Sequence, residues 1–236
     1  MCTLSYLPHK EGFYLVNNRD ESPARAQTLQ PQTITINGKK ILCPIDTEGK
    51  GTWIGVNEDG RMVCLMNGAF VLHVKKPSYR MSRGKVTLEL LAADDAETHF
   101  ESMDLKDIEP FTVIIIERNL LMVFRWDEVK KYKEILSGDQ AYNWSSSTLY
   151  NSEVAAVRAQ YFNENVDKFN SQQELLLGWH KDQISGAPGV MLDLEMVKTV
   201  SITSINKEGD LLKMQYEDLL TGEILNNTLA VNTQLT

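Results

Sequence analysis

The sequence predicts an α+β fold of antiparallel strands with helices segregated onto sheet faces, and three observations carry that expectation. Strand-length apolar runs broken by turn residues fill both ends of the chain. Apolar spacing of three and four residues is confined to blocks between them. The two kinds of block do not alternate one by one, as parallel βαβ units would.

The elements follow in order. Cys2 to Leu7 is a short run closed by Pro8-His9-Lys10-Glu11-Gly12, and Phe13 to Asn17 follows, so the chain opens with a hairpin. Asn18-Arg19-Asp20-Glu21 comes directly after the second strand and Pro23 limits its continuation, which sets a polar tetrad close to the chain start. Ile34, Ile36, Asn37-Gly38 and Ile41 form a second hairpin whose turn wants positive φ at both central residues. Gly49-Lys50-Gly51 leads into a strand from Thr52 to Asn57, a turn at Glu58-Asp59-Gly60, and a strand from Arg61 to Met66 that exits on Asn67-Gly68. From Ser82 the period becomes helical through Val86, Leu90 and Leu91. After the N-cap pair Asp94-Asp95 it continues through Ala96, His99, Phe100 and Met103. Phe111 to Glu117 and Leu120 to Trp126 are strands around Arg118-Asn119, and Val113 to Ile116, apolar on both faces, should be covered on both sides. Asn151 is the expected N-cap of a helix with Val154, Val157, Tyr161 and Phe162 on one face, and Ser171 with Glu174 forms a capping-box pattern. Val197 to Asn206, Leu211 to Asp218 and a strand after Thr221-Gly222 end the chain. No linker or repeat divides it, so residues 1–236 are read as one domain.

Apolar residues make up 42% and charged residues 24%, the balance of a soluble globular chain. With 32 acidic against 24 basic residues the formal charge is -8, and nucleic acid is an unfavourable partner. The start lacks the basic and long apolar stretches of a signal peptide, and a cytoplasmic protein without a membrane span is expected. Cys2, Cys43 and Cys64 have no paired spacing and His9, His73, His99 and His180 are scattered, so neither a disulfide framework nor a metal site is expected.

Cys2 is the residue with the most chemical potential. Removal of Met1 would leave a thiol and a free α-amine on one residue, with reference pKa values of about 8.5 and about 7.7–8.0. Such an amine is partly neutral near pH 7 and can take the thiol proton itself. Position alone favours the other reading, a small apolar residue on a buried first strand. Taken singly, the bland readings are a surface ion pair for Arg19 with Asp20 or Glu21 and a turn residue for Asn67. Adjacent Arg19 and Asp20 point to opposite sides of an extended strand, so both face Cys2 only where the chain bends. Cys43 and Cys64 fit inert core thiols, and His180 fits a helix end near the last carbonyls. Tyr142, Trp144 and Tyr150 could line an apolar pocket or fill the core.

Met1-Cys2-Thr3, Asn18-Arg19-Asp20-Glu21 with Ser22-Pro23-Ala24-Arg25, Gly51-Thr52-Trp53-Ile54-Gly55-Val56-Asn57, Asn67 and Ser82-Arg83-Gly84 together resemble the N-terminal half of the NRDE family, which includes the transport-and-Golgi-organisation proteins. A more distant likeness, through Gly55-Val56-Asn57-Glu58 to Asn67, is to choloylglycine hydrolases and penicillin V acylases. The resemblance implies a four-layer αββα sandwich of N-terminal-nucleophile hydrolases. It also implies hydrolysis of a non-peptide linear amide without metal or organic cofactor, with Cys2, Arg19, Asp20 and Asn67 as the catalytic group. Asn18 and Glu21 of the tetrad are candidate substrate contacts. Ser147 or Asn151 stands nearest that family's second Asn, and Lys198 nearest its late Arg. The rival expectation is a catalytically silent carrier of an apolar ligand such as haem or an acyl chain.

Overall fold

The computed structural model describes residues 2–25, 28–117, 120–169 and 172–232. In chain order they form β1 (Cys2–His9), β2 (Gly12–Glu21), β3 (Leu29–Ile36), β4 (Lys39–Ile45), β5 (Ile54–Asn57) and β6 (Met62–Asn67), followed by α1 (Arg83–Ala92) and α2 (Ala96–Ser102). Next come β7 (Phe111–Glu117), β8 (Leu120–Trp126), β9 (Lys131–Leu136), β10 (Tyr142–Ser145), α3 (Ser152–Phe169) and α4 (Gln173–His180). The last three are β11 (Lys198–Glu208), β12 (Leu211–Asp218) and β13 (Ile224–Ala230). Two antiparallel sheets result, ordered β10-β1-β2-β11-β12-β13 and β3-β4-β5-β6-β7-β8-β9. The chain divides into two compact units, one of residues 1–25 with 138–228 and one of 26–137 with 229–236.

In the first unit α3 and α4 cover one face of the six-stranded sheet. Phe162, Phe169, Leu176 and Trp179 pack with Leu7, Val16, Val190 and Ile202. The Phe162 and Trp179 rings lie 5.2 Å apart, and Phe162 and Phe169 stack at 5.6 Å. Each such side chain contributes roughly 1.5–3 kcal/mol on burial, more than the intrinsic propensity of a short helix such as α4 can supply. Asn151 caps α3 by accepting from the Val154 amide at 2.9 Å. The buried face, however, is Arg158, Phe162 and Phe169, while Val154 and Val157 are exposed. The two valines of the expected stripe thus face outward, and Arg158 takes the place beside Phe162 because Thr3, Tyr150 and the Gly189 carbonyl give its guanidinium partners. The N-cap of α4 is Gln172 without a side-chain bond, and Ser171, like Arg118 and Asn119, lies outside the described residues.

The second unit is organised around α1. A Cβ on Gly51 would lie 2.3 Å from the Gly84 carbonyl carbon, and the Thr52 amide donates to the Gly84 carbonyl at 3.1 Å. Two glycines therefore let the first turn of α1 sit directly on the backbone before β5. Gly55 gives room to Leu91 in the same way, with its Cβ position 2.8 Å from that side chain. Arg61 is fully buried and spends its guanidinium on both Glu117 oxygens (2.7 and 2.9 Å) and on the carbonyls of Leu90, Ala93 and Asp94 at the end of α1. The turns follow their residues: Asn37 and Gly38 have φ of 52° and 81°, and Asp95 caps α2 through the Thr98 amide. Strands β9 and β10 were not legible in the sequence, because an edge strand such as Lys-Tyr-Lys-Glu-Ile-Leu carries charge where a core strand carries an apolar run.

Candidate active site

The β1–β2 hairpin builds the site. Its register is Cys2 opposite Arg19, Thr3 opposite Asn18 and Leu4 opposite Asn17. Residues directly opposite share a sheet face, so Cys2 and Arg19 lie side by side on one face. Glu21, two residues on, shares it, with an oxygen 3.9 Å from Arg19 and 3.7 Å from Arg25. Its other oxygen accepts from the Ser22 amide at 2.9 Å. Ser201 of β11 pairs with Arg19 and extends the row. Cys2 is only 2% exposed and Arg19 6%.

Asn18 and Asp20 project to the opposite, helix-covered face. Asp20 accepts a 2.6 Å bond from the Thr199 hydroxyl and a 3.4 Å bond from the Tyr150 hydroxyl, both buried. Burial pushes its carboxyl up to about 6, against the Thr199 hydrogen bond and the positive charges of the chain start and Arg158. Arg19 and Asp20 thus keep the opposite facing of an extended strand, and the irregularity lies on the partner strand: Thr199 pairs with Asp20 and Ser201 with Arg19, leaving Val200 as the extra residue of a bulge.

Asn18 is engaged by α4. Its amide nitrogen donates to the His180 carbonyl at 2.9 Å, and its oxygen meets His180 Nδ1 at 2.8 Å. His180 Nε2 lies 2.7 Å from Ser5 Oγ. This corrects the helix-end reading of His180: the ring turns into the sheet, fully buried, and does not serve carbonyls of its own helix. Burial and the Arg158 charge lower its pKa to about 3. The folded ring is neutral, so the unfolded chain takes the proton first, and this group's share of stability falls as pH drops from about 6.5 toward 3. His180→Gln should cost about 1–3 kcal/mol, because a shorter amide cannot satisfy both Ser5 and Asn18. Urea denaturation at pH 7 reads this, and a cost under about 0.5 kcal/mol, the range of surface changes, would remove His180 from the account.

The remaining predicted residues are placed by their own elements. Asn67 ends β6 in the second unit, before Gly68 with φ of 80°. Ser147 follows β10 one residue after Ser146, whose amide donates to the Cys2 carbonyl at 3.0 Å, and its own hydroxyl is buried without a partner. Asn151 is occupied as the α3 cap. Lys198 stands opposite Glu21 but forms its ion pair with Asp193 at 2.6 Å. Cys43 and Cys64 are fully buried in the second unit, and burial pushes the Cys43 thiol up to about 12. Tyr142 and Trp144 stack on each other at 5.4 Å, while Tyr150 belongs to the Asp20 cluster. Sequence reading missed Arg158, Thr199 and Thr3; the one available signal was a charge four residues before Phe162 on an otherwise apolar face. Among the described residues no His/Cys/Asp/Glu cluster could hold a metal, and no helix is long and apolar enough to cross a membrane.

Residues 1–219 match the family model Transport and Golgi organisation 2. The chain belongs to that family. None of the curated proteins matches it. Among solved structures, an arginine-to-leucine variant of conjugated bile acid hydrolase from Clostridium perfringens superposes with a TM-score of 0.62 at 12% identity, over 100% of this chain and 98% of that one. A cysteine-to-alanine mutant of the same hydrolase gives 0.53 at 14% identity, over 99% and 100%. A Caenorhabditis elegans N-acylethanolamine-hydrolyzing acid amidase ortholog gives 0.57 at 14%, over 86% and 92%. These likenesses show that this member of the Transport and Golgi organisation 2 family has the N-terminal-nucleophile hydrolase fold expected from its first 85 residues.

Proposed function

We propose that the protein is an N-terminal-cysteine amidohydrolase acting on a non-peptide linear amide through a covalent acyl-enzyme. The observation that carries this reading is the pairing of Cys2 with Arg19 at the chain start, with Asp20 buried one residue further along the same strand. The fold neighbours named above act on a conjugated bile acid and an N-acylethanolamine, both amides of small molecules.

In this scheme removal of Met1 frees the Cys2 amine, which takes the thiol proton. The thiolate adds to the substrate carbonyl, and Asp20 holds the resulting ammonium by charge-assisted hydrogen bonding. The ammonium returns its proton to the leaving nitrogen as the C–N bond breaks, leaving a thioester on Cys2 and a free amine. Water then adds to the thioester with the amine again as base, and the acid leaves as the thiol is restored. Arg19 favours the thiolate or grips a substrate carboxylate. Asn67 is the oxyanion donor that the resemblance implies, a contact whose loss typically costs about 10²-fold or more.

Intact mass should show a chain lacking Met1. At pH 6, alkylation of Cys2 should outpace that of Cys43 and Cys64 at least about tenfold, since a thiol whose proton is taken by its own α-amine reacts where neutral core thiols do not. Turnover of an N-acyl amino acid or acyl-homoserine lactone that disappears in Cys2→Ala establishes the enzyme. Retained Met1, or turnover surviving in Cys2→Ala, sinks the proposal; tight haem or acyl-chain binding without turnover would favour a carrier.

A further inference from the structure

The tetrad is divided by its own strand, and the charged half on the helix side has partners that no motif marks. Arg158 of α3 is 4% exposed in a stripe that otherwise buries phenylalanines. Its guanidinium lies over the Tyr150 ring, 3.8 Å from the centroid. One of its nitrogens lies 3.5 Å from the Thr3 hydroxyl and another donates to the Gly189 carbonyl. Tyr150 in turn donates to Asp20, and Thr199 completes the carboxylate's contacts while accepting from the Leu192 amide at 2.8 Å. The path Asp20, Tyr150, Arg158, Thr3 thus closes on the residue that follows Cys2.

A buried carboxylate with two neutral hydroxyl donors loses much of its hydration, and two hydroxyls cannot replace it. A buried guanidinium nearby supplies the missing counter-charge without a direct ion pair. Its stacking on Tyr150 also fixes the ring that carries the hydroxyl. Such an arrangement has no packing rationale alone, since a leucine at position 158 would continue the apolar stripe of Phe162 and Phe169 without burying a charge.

We infer that Arg158 and Tyr150 are positioning residues that keep Asp20 ionised and directed at the start of β1, and so set the lower pH limit at which Cys2 is competent. The claim about Cys2 rests on the amidohydrolase reading above; the claim about Asp20 does not. The positive charges that act on Asp20 are that of the amino terminus and that of Arg158 from α3. Tyr150 raises no charge at neutral pH, because burial and Asp20 push its hydroxyl upward. His180 of α4, near Arg158, is neutral. Of the neighbouring strands, β11 presents the uncharged Thr199, and its Lys198 is paired with Asp193. Arg19 and Glu21 lie on the other face of β2.

The test is a carbon-detected titration of aspartate carboxyl groups in the full-length protein, with the Asp20 signal assigned by its loss in Asp20→Asn. In Arg158→Met the Asp20 midpoint should rise by about one pH unit or more, in Tyr150→Phe by less, and Arg158→Lys should restore most of the shift. A purely structural role would lower stability and leave the midpoint where it is. Midpoints in Arg158→Met and Tyr150→Phe within about 0.2 pH units of wild type, small against ordinary protein shifts, overturn the inference. Should Arg158→Met fail to fold, Tyr150→Phe and Arg158→Lys still decide it. The pH profile of Cys2 alkylation, followed in the same variants, should move with the Asp20 midpoint. If the midpoint moves and the profile does not, the link from Asp20 to Cys2 is lost and the amidohydrolase reading falls, while the network around Asp20 stands.

Discussion

Asp20→Asn is expected to make the protein more stable at pH 7 while removing the activation of Cys2. Burial raises the folded-state value of Asp20 from 3.8 to about 6. The folded chain therefore binds this proton more tightly than the unfolded chain does, and stability falls as pH rises across that window. Below 3.8 the group is protonated in both states and costs nothing. Above about 6 its cost is complete, with an upper bound of about 3 kcal/mol from 1.36 kcal/mol per pH unit. An asparagine is neutral at every pH and can still accept from Thr199 and meet the Tyr150 hydroxyl. Urea denaturation should give a gain of about 1–3 kcal/mol at pH 7 that vanishes by pH 4. Alkylation of Cys2 at pH 6, and any turnover, should drop at least about tenfold. A variant that is both less stable and fully reactive would falsify the placement of Asp20. The His180 contribution runs the other way with pH, since its folded value is depressed, so wild-type stability should be nearly flat from about pH 4 to 6 as far as these two groups decide it.

Arg61→Met should be the most destabilising exchange in the second unit. It removes the two guanidinium bonds that the Glu117 carboxylate accepts at 2.7 and 2.9 Å, and frees the carbonyls of Leu90, Ala93 and Asp94. Breaking a buried pair from one side costs about 3–5 kcal/mol, a large share of the roughly 5–15 kcal/mol that holds a domain together. Exchanging both partners, Arg61→Met with Glu117→Leu, should recover most of the loss, because no unpaired charge remains. The pair of urea midpoints checks this. A single-variant cost below about 1 kcal/mol would mean that Glu117 finds another partner or reaches water.

Local chemistry was readable where it was decided locally. The Asn37-Gly38 turn, the Asp95 and Asn151 caps and the opening hairpin all depend on neighbours within a few residues, and each is where periodicity and turn preference put it. The family blocks around Gly51 and Gly84 were also readable, though not their reason, which is direct contact between two backbones. What stayed hidden is joined across the chain. Tyr150 meets Asp20 across 130 positions, Arg158 meets Thr3 across 155 and His180 meets Asn18 across 162. No window of helical spacing can see such partners, and hydropathy alone sets Val154 and Val157 beside Phe162 where the fold buries Arg158. Among the site candidates, Asn151 and Lys198 were chosen by position in a motif, and in the fold they serve a helix cap and an ion pair with Asp193.

The opening hairpin turns at Lys10 and Glu11, with His9 opposite Gly12. Gly12 in turn lets β11 approach, since a Cβ there would fall 1.9 Å from the Lys207 carbonyl oxygen. Because side chains alternate, inserting one residue in that distant bend would slide β2 by one place and reverse every facing. The carboxylate would then stand beside the sulfur and the guanidinium beneath the helices. Loop length some 20 Å away, at roughly 3.3 Å per residue, thus dictates the sign of the charge that the first thiol meets.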